Sequence, residues 1–316
     1  MSPQSKLVVF GATGQQGSSI LTTVLNHPEL SKKYSLRGIT RNTSSSKAAE
    51  LAEKGIEMVE ADINDPSTLP RAVDNAHTVV LITETRYEKD LKEGEFRQAK
   101  AVADAAVAAG VEFIIFSTAV HCARLWENGP VDQFDVKAEI EEYIRGLPLK
   151  SAFLAPGMFM SNFSTVMAPR KQDDGSYLVV GVNDPETKIP LIETAADSGL
   201  YAVPLLLDPE GMNGKVMYAA TKLYTFNEMM EIISKVSGET VRYQALPKEV
   251  LAGFMKEEMG ARMVAMMSFI DQPGYYGPGT AEKVRETVGL VGGKPTTFEE
   301  FAGRYLTDLE SIRGGH

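Results

Sequence analysis

The first forty residues constrain this chain more than any other stretch. Lys6-Leu7-Val8-Val9-Phe10 reads as a buried strand, and Gly11-Ala12-Thr13-Gly14-Gln15-Gln16-Gly17 follows at once. An apolar-periodic helix comes next, with Ile20, Leu21, Val24 and Leu25 on one face, and a second strand ends at Ile39-Thr40-Arg41. Strand, glycine turn, helix and strand in that order hold a dinucleotide: the glycines let backbone approach a pyrophosphate, and the helix N-terminus faces its charge. An NAD-binding chain usually places Asp or Glu after the second strand, for the ribose 2′-hydroxyl. Here Arg41 stands in that place and suits a 2′-phosphate, so the expected cofactor is NADP(H). Asn42, Ser44, Ser45, Ser46 and Lys47 follow, either as further phosphate donors or as a plain polar loop.

Strand-like and helix-like runs alternate through the first half. Strands are predicted at 36–40, 56–60, 78–83, 111–117 and about 150–154, and helices at about 92–109 and 134–146. Gly110 is placed to stop the first of these helices as a left-handed C′ residue. Short β-rich runs spaced by helices predict an α/β fold, a Rossmann doubly wound parallel sheet. Past Pro156-Gly157 the pattern loosens, with helices expected at 227–237, over a Met-rich stretch at 248–270 and at 298–309. The expected organisation is a Rossmann domain over 1–155 and a smaller α+β lobe over 156–316, some of whose segments return to the core sheet.

Composition narrows the class. The 316 residues, 43% of them hydrophobic, can bury a large core. A net charge of −10 without any run of Lys or Arg argues against direct nucleic-acid binding. The single cysteine, Cys122, excludes an intrachain disulfide and fits a reducing compartment. A strand predicted from residue 6 leaves no room for a signal peptide, and no apolar stretch reaches membrane-spanning length. The expectation is a cytoplasmic protein, with the nucleus as a second compartment. Four histidines (27, 77, 121 and 316) and one cysteine supply no zinc-type cluster, so no metal is expected.

Chemistry should gather at the carboxyl ends of the strands. Asp62, after strand three, is placed to accept the adenine amino group, while Asp65 before Pro66 is the better helix cap. Thr83-Glu84 closes strand four where the cofactor ribose should pass, and Ser117-Thr118 ends strand five. In the short-chain dehydrogenase/reductase superfamily this region carries a Ser and a Tyr-x-x-x-Lys, whose Lys binds the nicotinamide ribose and whose Tyr moves a proton. Lys137 occupies the Lys place, but Gln133 stands four residues before it and cannot do acid/base work. His121 is a candidate replacement donor, against the plainer reading of a loop histidine. Cys122 reads as a small buried hydrophobe. Tyr218-Ala-Ala-Thr-Lys222 matches by letters only, because it lies in a strand-like run where residues four apart are roughly 13 Å separated. Met255, Met259, Met263, Met266 and Met267 recur at helical spacing, as core packing or as an adaptable pocket wall, and Gly274-Tyr275-Tyr276-Gly277-Pro278-Gly279 reads as a loop able to close over such a pocket.

Over nearly its whole length the chain resembles the NmrA-like family of atypical short-chain dehydrogenase/reductases. The carrying stretches are Val9–Gly17, Ile39–Asn42, Ala61–Asp65, Gln98–Ala106, Gly110–Thr118, Phe134–Tyr143 and Ala155–Phe163. The resemblance implies that Gly11, Thr13, Gly14, Gln15, Gln16 and Gly17 hold the pyrophosphate, Arg41 the 2′-phosphate and Asp62-Ile63 the adenine. It implies that Lys137 meets the nicotinamide ribose and that Phe159 and Asn162 line the nicotinamide pocket. It implies two kinds of protein. One is a redox-state sensor that binds NADP(H) without turnover and acts through a protein partner. The other is an NADPH-dependent reductase of a small apolar acceptor (quinone, enone, carbonyl or imine), with catalysis resting on Lys137 and His121. The missing Tyr and the acidic surface lean toward the sensor, as a monomer or homodimer. Replacing Arg41 with Ala should weaken NADPH at least about tenfold and leave NADH nearly unchanged, as titration of both nucleotides would show; equal losses would misplace the 2′-phosphate.

Overall fold

The structure, a computed structural model, describes residues 4–312. His316 therefore lies outside the described residues. Along the chain run β1 (Ser5–Phe10), β2 (Tyr34–Thr40), β3 (Glu57–Glu60), β4 (Thr78–Leu81), β5 (Phe113–Ser117) and β6 (Lys150–Pro156). Then come β7 (Met158–Phe159), β8 (Arg170–Lys171), β9 (Tyr177–Gly181), β10 (Ile189–Ile192), β11 (Val216–Ala219), β12 (Lys222–Tyr224) and β13 (Val241–Ala245). Seven of them form one parallel sheet in the order β11-β6-β5-β4-β1-β2-β3. Two three-stranded sheets, β12-β10-β7 and β13-β9-β8, belong to the second half of the chain. The Rossmann-type doubly wound fold expected from the sequence is the fold observed.

Burial on both faces explains the unbroken apolar run of β1. Leu7 and Val9 pack with Ile20, Leu21 and Val24 of the helix Gln15–Asn26 and with Tyr201, Ala202, Leu205 and Leu206 of the helix Thr194–Leu207. Val8 and Phe10 face the other way, onto Ala99, Val102 and Ala103 of the helix Leu91–Ala108 and Val136 and Ile140 of the helix Asp132–Arg145. A third apolar cluster, including Phe163, Tyr224, Phe226, Phe269 and Phe298, holds the small sheets and the C-terminal helices together.

Local signals set most boundaries. Gly110 follows the long helix at φ +73°, the left-handed conformation its place required. The helix Phe226–Ser237 opens on a capping box between Thr225 and Glu228. The Met-rich stretch is two helices, Lys248–Gly253 and Glu257–Asp271, and the last helix is shorter than expected, Phe298–Tyr305. Thr194–Leu207 and Thr280–Leu290 escaped the sequence reading, as did the shorter helices Leu30–Lys33, Ser46–Glu53 and Cys122–Leu125. The first is apolar nearly all round and carries Pro204 inside it, so it shows neither a clean amphipathic period nor a clean boundary. Tyr218 lies in β11 and Lys222 in β12, in different sheets, so their Tyr-x-x-x-Lys spelling has no helical meaning.

The helix Thr194–Leu207 seats against the helix Gln15–Asn26 at Gly199, whose N–H donates to Ser19 Oγ at 3.0 Å. A Cβ there would lie 2.0 Å from Thr23 Oγ1 and 2.6 Å from Ser19 O. Gly199→Ala should therefore destabilise the fold by about 1–3 kcal/mol through overpacking, read as a lower urea midpoint with an unchanged m value.

Candidate functional site

The turn after β1 is built for close approach. Gly11 sits at φ +74°, and a Cβ on Gly17 would stand 2.3 Å from Gly11 O, so only glycine lets the helix start flush against the turn. Gly14 caps the helix without a side-chain hydrogen bond, and its first turn has no acidic residue. The first-turn amides and the positive end of the helix dipole are thus left for an anion, which fits a dinucleotide pyrophosphate. Ser117 Oγ donates to Gln16 Oε1 at 2.9 Å, tying this helix to the end of β5. Gln15 reaches Ser161 of the second half at 3.5 Å.

From the turn a cleft of about 490 Å³ runs over the ends of β1, β2, β3 and β4. Its walls include Gly11, Thr13 and Gly14, then Arg41, Asn42 and Ser45, then Ile63, Asn64 and Gln98. Arg41 is exposed and stands 3.9 Å from Glu84, which also stands 3.7 Å from Arg86. Arg86, on the cleft wall, is a second cation that the sequence reading missed. Asp62 turns to its own loop. Its Oδ1 accepts from the Asn64 N–H and amide, both at 2.9 Å, and the backbone bond holds its carboxyl below the usual carboxylate range. It is Ile63 and Asn64 that face the cleft there. Asp65 caps the short helix at Pro66, accepting from the Ser67 N–H at 3.0 Å, as its place before a proline implied.

Lys137, on the helix Asp132–Arg145, reaches back to the end of β4. Its Nζ donates to Glu95 Oε1 at 2.5 Å, to Thr83 Oγ1 at 3.0 Å and to Thr83 O at 3.4 Å. Thr83 Oγ1 in turn donates to Glu95 Oε1 at 2.6 Å. Glu95 was not foreseen, although a signal existed. It sits among Leu91, Ala99, Val102 and Ala106 on the buried stripe of its helix, where periodicity demands an apolar residue. Thr83 and Glu84 line both the cleft and a second cavity of about 370 Å³. That cavity holds Lys137, Gln16, Ser117 and Gln133 on its polar side and Phe134, Phe159, Tyr275 and Met266 on its apolar side. The Gly-Tyr-Tyr-Gly loop and one methionine of the Met-rich helix thus reach the cavity wall. Tyr276 donates to Ala155 O at 3.0 Å, and burial pushes the Tyr275 phenol up, so it stays protonated at neutral pH.

Two candidates lie elsewhere. His121 Nδ1 is 3.1 Å from Asp135 Oδ1, and His121 is not among the residues lining the cavity. Asp135 is buried and accepts from the N–H groups of Ala123 and Val131, which staples the loop before its helix. Asn162 lies in the 3₁₀ turn Met160–Ser164, where its carbonyl accepts from Thr165 and Met167, outside the cavity wall. Among the described residues no group of His, Cys, Asp or Glu could hold a metal ion, and no helix is long and apolar enough to cross a membrane.

Against known proteins, the model of the NmrA-like family matches residues 3–302. An NmrA-like family domain-containing oxidoreductase of Aspergillus flavus, lnaB, is 28% identical, covering 93% of this chain and 94% of its own. A second, ptmS of Penicillium ochrochloron, is 30% identical over 77% of each chain. Among solved structures, the negative transcriptional regulator NmrA in complex with NADP is similar at TM-score 0.80 and 20% identity, covering 96% of this chain and 95% of its own. The Citrobacter sp. triphenylmethane reductase complexed with NADP(H) is similar at TM-score 0.76 and 23% identity, over 96% of this chain and 100% of its own. At these identities the two structures show the fold.

Cys122 is fully buried, and desolvation pushes its thiol up, with Asp135 adding to the shift. It should resist a thiol reagent in the native protein at pH 7–8 and react at the rate of a free thiol once the chain is unfolded.

Proposed function

We propose that this chain, which belongs to the NmrA-like family, binds NADP(H) and reduces a small, neutral, apolar acceptor. The observation that carries this reading is the cavity: it shares Thr83 and Glu84 with the nucleotide cleft, has Lys137, Gln16, Ser117 and Gln133 on its polar side, and sets the rings of Phe134, Phe159 and Tyr275 with Met266 against them. A preformed apolar pocket with a few convergent polar groups is what a small-molecule site requires. The curated relatives named as oxidoreductases support the same reading.

In this reading residues 1–155 hold the nucleotide and 156–316 complete the acceptor site. Gly11 to Gly17 cradle the pyrophosphate, with Arg41 on the 2′-phosphate. Asn64 and Gln98 face the adenine end, and Lys137 meets the nicotinamide ribose. NADPH, when bound, supplies the hydride. The chain's own part is to hold the ribose, to shape a dry slot for a planar acceptor and to offer the Tyr275 hydroxyl as a hydrogen-bond donor. A quinone-like acceptor suits this equipment, because the hydride and one proton taken from water complete its reduction to the hydroquinone with little need of a protein acid. Gln133 in the usual Tyr place favours a second reading, a redox-state sensor acting on a protein partner without turnover. A net charge of −10 directs such a role to protein and not to DNA.

The deciding measurement is NADPH absorbance at about 340 nm, at confirmed occupancy, with a panel of quinones, enones, ketones, aldehydes and imines; kcat values of roughly 1–1000 per second are readily seen. Oxidation with a quinone or enone, with the KM for NADPH raised roughly tenfold in Lys137→Ala through the lost ribose contact, is the expected outcome. Silence across the panel would favour the sensor.

A further inference from the structure

We infer that Glu95 is a positioning residue that holds the Lys137 ammonium at the point where the nicotinamide ribose meets the protein. The inference rests on the NADP(H) reading above. Glu95 is 2% exposed at its side chain and is itself outside the cavity wall, whereas Lys137 is 18% exposed and in it. The carboxylate stands behind the ammonium and reaches a ligand only through it.

The hydrogen-bond inventory gives the trio its direction. An ammonium has three N–H groups, and those of Lys137 go to Glu95 Oε1, Thr83 Oγ1 and Thr83 O. The bond to Thr83 O, at 3.4 Å, is the longest and the one a ribose hydroxyl can replace. The other two close a triangle with the 2.6 Å bond from Thr83 Oγ1 to Glu95. They draw on three separate elements: the end of β4, the helix Leu91–Ala108 and the helix Asp132–Arg145. A lysine has a flexible four-carbon stem, and fixing its head before the ligand arrives removes that entropy loss from binding.

The arrangement is expensive for stability alone. Glu95 Oε2 is buried without a hydrogen-bond partner. A buried ion pair is often no more stable than apolar residues of the same volume, and an orphan oxygen adds a desolvation penalty. Gln133, one turn before Lys137, also keeps a buried unpartnered Oε1. Its Nε2 faces Arg262 O at 3.4 Å, which sets the orientation of the amide. Two imperfectly satisfied polar groups flank the same lysine, in a shell where packing alone would have placed apolar ones.

The test is a double-mutant cycle read by binding. NADPH and adenosine 2′,5′-bisphosphate, which lacks the nicotinamide ribose, are each titrated into wild type, Lys137→Met, Glu95→Gln and the double variant. Expected is a roughly tenfold loss of NADPH affinity in Lys137→Met and a roughly fivefold loss in Glu95→Gln, with the double variant within about twofold of Lys137→Met. Bisphosphate affinity should stay within about twofold throughout, which also reports an intact cleft. If Glu95→Gln does not fold, Glu95→Asp keeps the charge, withdraws it by one methylene, and should show the same selective loss. Equal losses for both ligands, multiplying losses in the double variant, or unchanged NADPH affinity would each overturn the inference. A wild type that binds neither ligand overturns the NADP(H) reading itself. One that binds NADPH while its variants match it overturns only the role of Glu95.

Discussion

Everything at the candidate site depends on the reversal of strand order between β1 and β4. From β1 the chain winds outward through β2 and β3, and from β4 it winds the other way through β5 and β6. The crossover helices therefore leave to opposite faces, and a crevice opens between them at the carboxyl ends of the strands. Gly11, Thr83 and Ser117 are the residues that end, or closely follow, β1, β4 and β5 there. Backbone hydrogen bonding places them, so side chains distant in sequence converge without any long loop. The hydrogen bond from Ser117 to Gln16 and the three from Lys137 to Glu95 and Thr83 follow from this convergence.

Residues whose role is dictated by backbone were legible in the sequence. The glycine turn, the helix after it, Gly110 and the Asp65 cap all depend on neighbours within a few positions, and all are seen. Lys137 was singled out by resemblance to the superfamily pattern, and it stands in the cavity wall. What stayed hidden depends on tertiary placement. Glu95 and Arg86 acquire meaning only when helix, strand end and loop are brought together. His121 looked near the reaction centre because it follows β5 closely, yet a loop of that length can turn its side chain to Asp135. The helix Thr194–Leu207 was missed because burial on most sides erases the periodicity that reveals a surface helix.

The two cavities divide the labour by polarity. The cleft beside the glycine turn has exposed arginines, small polar side chains and free helix amides, the equipment for a polyanion. The adjoining cavity has Lys137 in its wall, and that charge is already balanced by a buried carboxylate. A carboxylate-bearing acceptor would find no unspent cation among the residues that line it, whereas a neutral ring would find Phe134, Phe159 and Tyr275.

The contact at Gly199 bears on modularity. The helix Gln15–Asn26 that follows the glycine turn is covered by a helix contributed from the second half of the chain, and the fit admits no Cβ. The first half of the chain is therefore not a transplantable unit. Cutting the chain after residue 155 would uncover Ile20, Leu21 and Val24, and a chimera joining the halves of two relatives would have to carry matching residues at 19, 23 and 199. Divergence in one half is then answerable to the other at a seam whose Ser19 and Thr23 line the same hollow as Thr13 and Gly14 of the glycine turn.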